Sequence, residues 1–162
     1  YFLFYGHTPK HPDRPDKSCF SQWYYSPFVV EGITCPTAEH FMMAEKARLF
    51  QDADTREQII AAPDPKTAKA LGRCVQHFDS ELWDANRESI VYAGNVAKFS
   101  QNEHLRSFLV STGSSVLVEA SKNDSIWGIG LGIRDESAQQ PEHWRGLNLL
   151  GFSLMAVRET VL

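Results

Sequence analysis

The sequence predicts a mainly helical α+β fold, one compact domain over residues 1–162 with a small β-sheet. Three observations carry that expectation. Apolar residues recur at helical spacing through the stretch from Ser80 to Phe99, at Leu82, Trp83, Ile90, Val91, Val96 and Phe99. Capping residues and helix-ending glycines or prolines punctuate several shorter stretches. The strand-like runs, by contrast, are short and few. With 162 residues, 43% of them hydrophobic, the chain is large enough to bury a real core.

In chain order, Tyr1 to Phe4 is aromatic and apolar enough for an edge or central strand. Residues His7 to Ser18 carry three prolines and many charges and read as a surface loop. Phe28-Val29-Val30 and Ile33-Thr34-Cys35 flank Glu31-Gly32, a two-residue link suited to a hairpin. Pro36 and Thr37 then open a helix, with Thr37 as its cap. Asp54 is read as the cap of a short helix through Ile59-Ile60 that stops at Pro63. Asp64-Pro65 opens another, with proline at the first helical position and Gly72 closing it. The long helix from Ser80 follows, then one carrying Leu105, Phe108 and Leu109 that ends near Gly113. Val116-Leu117-Val118 reads as a short strand. The last helix, Asn148 to Val161, places Leu150, Leu154, Val157 and Val161 on one face, with Asn148 as its cap.

Composition bounds the function classes. A net charge of −4 argues against a dedicated nucleic-acid scaffold, which would show a basic face, but not against an enzyme that grips one modified nucleotide. Cys19, Cys35 and Cys74 are odd in number and form no CxxC pair. With no signal-like or membrane-length apolar run, they read as free thiols in a reducing intracellular compartment, cytoplasmic or nuclear. The six histidines lack zinc-ligand spacing. The expectation is therefore no metal, no cofactor, no membrane and no obligate protein partner.

Two segments carry candidate chemistry. Glu39 and Lys46 lie seven residues apart, an advance of about 700°, or roughly 20° short of two turns. A carboxylate and an amine thus leave one helix face with Met43 between them, and the lysine leans back toward the glutamate. On spacing alone, a solvated amphipathic edge is the more ordinary reading. His40, about 100° around the helix, suits a hydrogen-bonded structural histidine, and Glu45 faces away toward solvent. Glu39 sits in the first turn, where the positive helix end favours an ionised carboxylate. A reactive Lys46 needs a lowered pKa. Desolvation by Phe41, Met42 and Met43 would supply it, and the Glu39 carboxylate would oppose it. The second segment is Asn123-Asp124-Ser125-Ile126-Trp127-Gly128-Ile129-Gly130. Its glycines admit close main-chain approach, and an Asp beside a Trp suits a ligand with hydroxyls at one end and a flat ring at the other. A tight Asx turn holding a buried Trp explains the same residues.

Taken together, Phe4-Tyr5-Gly6, Phe20-Ser21-Gln22-Trp23, Pro36-Thr37-Ala38-Glu39-His40 with Ala44 and Lys46, Ala70-Leu71-Gly72-Arg73, Trp83, Asn123-Asp124 with Trp127-Gly128, and Asn148-Leu149-Leu150-Gly151 resemble the NADAR family, also called YbiA-like. The resemblance runs along most of the chain and rests on the order and spacing of these motifs. Two features depart from the pattern: Gln22-Trp23 stands where Asn-Phe is common, and Leu131 to Trp144 is longer than in the shortest members. The resemblance implies hydrolysis of an N-glycosidic bond in a ribosylated, nucleotide-like substrate. That substrate is either ADP-ribosylated guanine in a nucleoside or nucleic acid, or a ribosylamino pyrimidine of riboflavin synthesis. A non-catalytic reader of ADP-ribose is the other class. The presence of Glu39, Lys46 and Asp124 together favours an enzyme.

Carried over residue by residue, the resemblance makes Glu39, Lys46 and Asp124 catalytic. It makes Tyr5, Gly6, Ser21, Gly72, Arg73, Trp83, Trp127, Gly128 and Asn148 ligand-binding. Glu39 would face positive charge developing on the ribose. A neutral Lys46 amine would attack the aldehyde of ring-opened ribose. Asp124 would serve the ribose hydroxyls or proton transfer. Trp83 and Trp127 would sandwich a base or simply pack in the core. Arg73 would fork onto a phosphate or complement a helix dipole.

Overall fold

The computed structural model describes residues 1–162. In chain order its elements are β1 (Phe2–Phe4), β2 (Phe28–Val30), β3 (Ile33–Cys35), α1 (Ala38–Leu49), α2 (Ala53–Ile60), α3 (Pro65–Gly72), α4 (Ser80–Gln101), α5 (Glu103–Ser111), β4 (Leu117–Glu119) and α6 (Leu149–Thr160). The helical α+β class is as the sequence indicates. The strands, however, form two separate two-stranded sheets rather than one. The residues group into two compact units, 22–102 on the one hand and 1–21 with 103–162 on the other.

In the unit 22–102, β2 and β3 pair antiparallel with Phe28 opposite Cys35 and Val30 opposite Ile33. Glu31 and Gly32 take φ of 50° and 80°, the two left-handed residues of a tight hairpin turn. Helix α1 packs against α2, α3 and α4. It is therefore buried on more than one side, with Ala38, Phe41, Met42, Met43, Ala44 and Ala47 all inside. Close approach of the neighbouring helices depends on two glycines. A Cβ on Gly72 would fall 2.0 Å from Met43 Sδ, and one on Gly94 2.5 Å from Phe41 Cδ1. Gly72 does end α3, but the cap is Arg73 at φ −73°, so the glycine serves packing rather than a left-handed turn. The cap of α2 is Asp52, not Asp54: Asp52 Oδ1 accepts from Thr55 N at 3.1 Å, and its Oδ2 also accepts from Gln76 N. Asp54 lies inside the first turn. Asp64 and Asp79 cap α3 and α4 in the same way.

In the other unit, β1 runs parallel to β4, with Phe2 opposite Leu117 and Phe4 opposite Glu119. Phe20 stands at the centre of an aromatic cluster, its ring centroid 5.7, 5.5 and 5.4 Å from those of Phe2, Phe4 and Phe108. Helix α6 lays Leu150, Leu154 and Val157 inside and packs on β4. The long stretch Leu131 to Trp144 folds into two 3-10 turns, Glu136–Gln139 and Pro141–His143. It sends Ala138 into a core cluster with Val118, Ala120, Ile129 and Leu131, against which Trp144 packs. Asn148, expected to cap α6, makes no capping bond and sits at φ 52°. Its amide instead pairs with β4, Oδ1 accepting from Glu119 N at 2.9 Å and Nδ2 donating to Leu117 O at 3.0 Å. It thus supplies the backbone partners of a missing strand.

The α6–β4 approach is set by Gly151, where a Cβ would lie 2.1 Å from Leu117 O. That oxygen is main chain and is already bonded to Asn148. Gly151→Ala should therefore destabilise by ~1–3 kcal/mol. The check is a thermal melt, and a variant melting with the unaltered protein would show that the strand yields.

Candidate active site

The first turn of α1 is built from the cap outward. Thr37 is extended (φ −139°, ψ 162°) and its Oγ1 accepts from His40 N at 3.2 Å. The same hydroxyl lies 2.7 Å from His40 Nδ1, and His40 Nε2 lies 3.0 Å from Ala62 O. A carbonyl only accepts, so Nε2 carries hydrogen and Nδ1 takes the threonine proton. His40 is thus the structural histidine that the helical position suggested. Glu39 N donates to Gln22 O at 3.0 Å. Gln22 is buried, and its Oε1 accepts from Asn95 Nδ2 at 2.9 Å, so the glutamine of the Gln22-Trp23 departure retains a polar contact.

Glu39 is only 4% exposed. The solvated amphipathic edge is therefore not what forms. α1 has helices and β3 around it, and a carboxylate in its first turn is enclosed with them. Glu45 is only partly solvated. It pairs with Arg48 and lines a cavity of about 20 Å³ with Cys35 and Arg56, because β3 and α2 border that side of the helix. Burial pushes the Cys35 thiol up to about 11, so it is inert as a nucleophile. Cys19 is buried and Cys74 exposed, and no disulfide joins any of the three.

Lys46 is half-buried, with Nζ 4.8 Å from the centroid of Phe78 and 5.6 Å from that of Trp83. Its pKa is lowered: burial is the main cause, the Glu39 carboxylate opposes it, and the Arg73 guanidinium adds to it. The direction and its two main causes are those the sequence suggests, but the desolvating residues differ. Phe41 packs against Phe28, at 5.9 Å between centroids, and Met43 against Gly72, so both face core rather than the amine. The rings at the amine come from the α3–α4 connection and the start of α4.

Phe78 was not singled out in the sequence, although a signal exists. Phe78 directly precedes the cap Asp79, and Trp83 lies four residues into α4, the spacing of a hydrophobic staple. Lys98 carries no such signal in the sequence. It is fully buried in α4, with Nζ 5.6 Å from the Tyr24 centroid and 5.2 Å from that of Phe99. Arg73 is exposed at the end of α3, and Gly72 is buried beside it. The unit 22–102 thus brings Glu39, Arg73 and Trp83 to the Lys46 amine, while Gly72 packs on Met43.

The other unit holds Tyr5, Gly6, Ser21, Asp124, Trp127, Gly128 and Asn148. Asp124 Oδ1 accepts from both Ile126 N (2.9 Å) and Trp127 N (2.8 Å), which is the Asx turn. Trp127 is partly rather than fully buried. Gly128 O accepts from Asn148 N, and a Cβ on Gly128 would meet Glu119 O at 2.9 Å. The end of β4 therefore crowds this glycine's Cβ position. Asp124, Trp127, Gly128 and Asn148 form one bonded loop. Asn148 is fully buried, with its amide held by β4. Tyr5 is 61% exposed and lines a cavity of about 300 Å³ with Lys10 and Lys17, and Gly6 turns the chain at φ 90°. Ser21, partly buried, closes the 3-10 turn Lys17–Phe20 through its amide to Ser18 O. No three His, Cys, Asp or Glu side chains gather closely enough to hold a metal ion. No helix is long and apolar enough to cross a membrane.

The description "NADAR domain" matches residues 3–162. The chain belongs to the NADAR family. It is 39% identical over 165 residues to N-glycosidase R617 of Acanthamoeba polyphaga mimivirus, covering 98% of this chain and 95% of that protein. It is 35% identical over 147 residues to N-glycosidase YbiA of Escherichia coli strain K12, covering 91% and 81%. The NMR structure of Escherichia coli YbiA matches with a TM-score of 0.78 at 32% identity, over 98% of this chain and 83% of that one. This NADAR chain is an N-glycosidase.

The charges around Lys46 give a sign that can be measured. An NMR titration of its Cε should show a midpoint below the ordinary 10.5. Arg73→Gln removes a cation that disfavours the ammonium, so the midpoint should rise. Glu39→Gln removes the anion that favours it, so the midpoint should fall. Shifts of the opposite sign would show that these groups act on Lys46 through rearrangement rather than charge.

Proposed function

We propose that this N-glycosidase removes ADP-ribose from ADP-ribosylated guanine, in nucleosides or nucleic acid, using Glu39 and the Lys46 amine. The observation that carries the reading is the desolvated Lys46 amine, held by aromatic rings on the same helix face as a buried carboxylate. A lowered pKa gives this lysine a larger neutral fraction than an exposed one, which nucleophilic attack requires. The exposed Arg73 guanidinium beside it suits a phosphate of the ADP-ribose.

The chemistry follows from the groups. In the ring-opened substrate, C1 of the ribose is joined to the base nitrogen as an imine. The Lys46 amine adds to C1, the C–N bond to the base breaks with a proton passing to the departing nitrogen, and a Schiff base to Lys46 remains. Water then adds to C1, the lysine leaves, and the ribose aldehyde is restored. One water is consumed, and free base and ADP-ribose are released. Glu39 stabilises the positive charge at C1 and relays the protons.

Incubation with ADP-ribosylated guanosine and, separately, with a ribosylamino pyrimidine, read by mass spectrometry, tests the substrate. Release of ADP-ribose supports the proposal, and cleavage of the pyrimidine alone overturns it in favour of the smaller substrate. Borohydride added during turnover should fix a ribosyl-derived mass on Lys46 as a secondary amine. Lys46→Arg should lose both adduct and activity, because a guanidinium stays protonated. An active Lys46→Arg protein with no adduct would leave Lys46 a purely electrostatic role. Glu39→Gln should fold normally and lose about 10²–10³ in kcat.

A further inference from the structure

We infer that Phe78 is the platform on which the planar heterocycle of the substrate stacks, and so a specificity-determining residue of this site. The inference rests on the reading that Lys46 attacks the carbon bearing that heterocycle. For attack, Nζ must come within about 3–3.5 Å of C1, and the base is bonded directly to C1. An aromatic ring whose centroid is 4.8 Å from Nζ therefore borders the sugar or the base. Of the two rings at the amine, Phe78 is the more open, at 47% exposed, while Trp83 is partly buried.

An exposed phenylalanine in a loop would ordinarily be free to turn away, yet this one is held. Gln76 N donates to Asp52 Oδ2 at 3.0 Å, which ties the loop to the cap of α2. His77 takes φ 62°, a left-handed geometry uncommon for a non-glycine residue. Asp79 follows at once as the cap of α4. The Phe78 ring packs against Phe50, at 5.3 Å between centroids and 59° between planes. The chain thus carries an aromatic ring, fixed from both sides along the backbone and packed on Phe50, next to its reactive amine. A flat face in that position fits a purine or pyrimidine, and a bare sugar phosphate has no ring to stack on it.

The test compares GMP, which has a base, with ribose 5-phosphate, which lacks one, by calorimetry on the full chain. Phe78→Leu keeps apolar contact with Phe50 but removes the aromatic face, and Phe78→Tyr keeps the face. Phe78→Leu should weaken GMP binding roughly tenfold and change ribose 5-phosphate binding less than about twofold. Phe78→Tyr should bind GMP as the unaltered protein does. Thermal melts confirm that each variant is folded. Equal losses for both ligands, no loss for either, or GMP binding no tighter than ribose 5-phosphate in the unaltered protein would overturn the platform. Turnover of a substrate with no preference for GMP faults the platform alone. A GMP preference lost in Phe78→Leu, with no turnover, faults the proposed reaction and leaves the platform standing.

Discussion

The free amides at the start of α1 set the terms for the unit 22–102. This end of the helix is enclosed, so water does not satisfy those groups, and a buried unpaired amide costs about 1–3 kcal/mol. Two acceptors outside the helix ladder take two of them, Gln22 O for Glu39 and Thr37 Oγ1 for His40, and Phe41 N makes the first intrahelical bond to Thr37 O. Each anchor is tied in turn. Thr37 is bonded to His40, His40 to the end of α2 through Ala62 O, and Gln22 to α4 through Asn95. The position and register of α1 follow from these bonds. The direction of Glu39, and that of Lys46 two turns later, follow from the register.

Enclosure also decides the electrostatics. An exposed Glu–Lys pair would be screened and would shift neither group by much. Here the lysine amine lies against two aromatic rings, and the loss of hydration outweighs the attraction of the carboxylate. Arg73 acts in the same sense as burial. The balance matters for reactivity. A dominant Glu39 would have produced a tight ion pair and a protonated, unreactive lysine. Burial strong enough to win, with a carboxylate near enough to handle protons, gives a lysine that can be neutral beside a group that stays available as base.

What was legible in the sequence was what short-range chemistry decides. The Thr37 cap, the Glu31-Gly32 hairpin, the Asp64-Pro65 helix start and the long amphipathic α4 each depend on residues a few positions apart, and each stands where it was expected. The misreadings share the opposite property. Asp52 rather than Asp54 caps α2, and its other oxygen holds Gln76 N, 24 residues away. Asn148 reads locally as a helix cap, but its amide bonds are to a strand about thirty residues earlier. Glu45 faces away from the Glu39–Lys46 line as expected, yet what lies on that side is Arg48, Arg56 and β3. Phe78 lies in the α3–α4 connection, outside any periodic run, with only the staple spacing to Trp83 to mark it. Its importance comes from where the α3–α4 connection returns to α1.

The Asp124 loop shows how structure and chemistry share one side chain. Its Oδ1 accepts the amides of Ile126 and Trp127, and its main-chain oxygen accepts from Gly130 N. The same loop is fastened to the start of α6 by the bonds from Leu147 N, Asn148 N, Leu149 N and Leu150 N to the carbonyls of Ser125, Gly128, Ile126 and Trp127 respectively. A residue so committed presents only its second carboxylate oxygen, Oδ2, to anything else. Removing the side chain would release two amides and loosen the turn that orients Trp127, so lost activity in such a variant would say little about chemistry. An asparagine keeps an oxygen where Oδ1 stands and changes only the charge and the group at Oδ2. At this position the isosteric change separates the turn from the reaction.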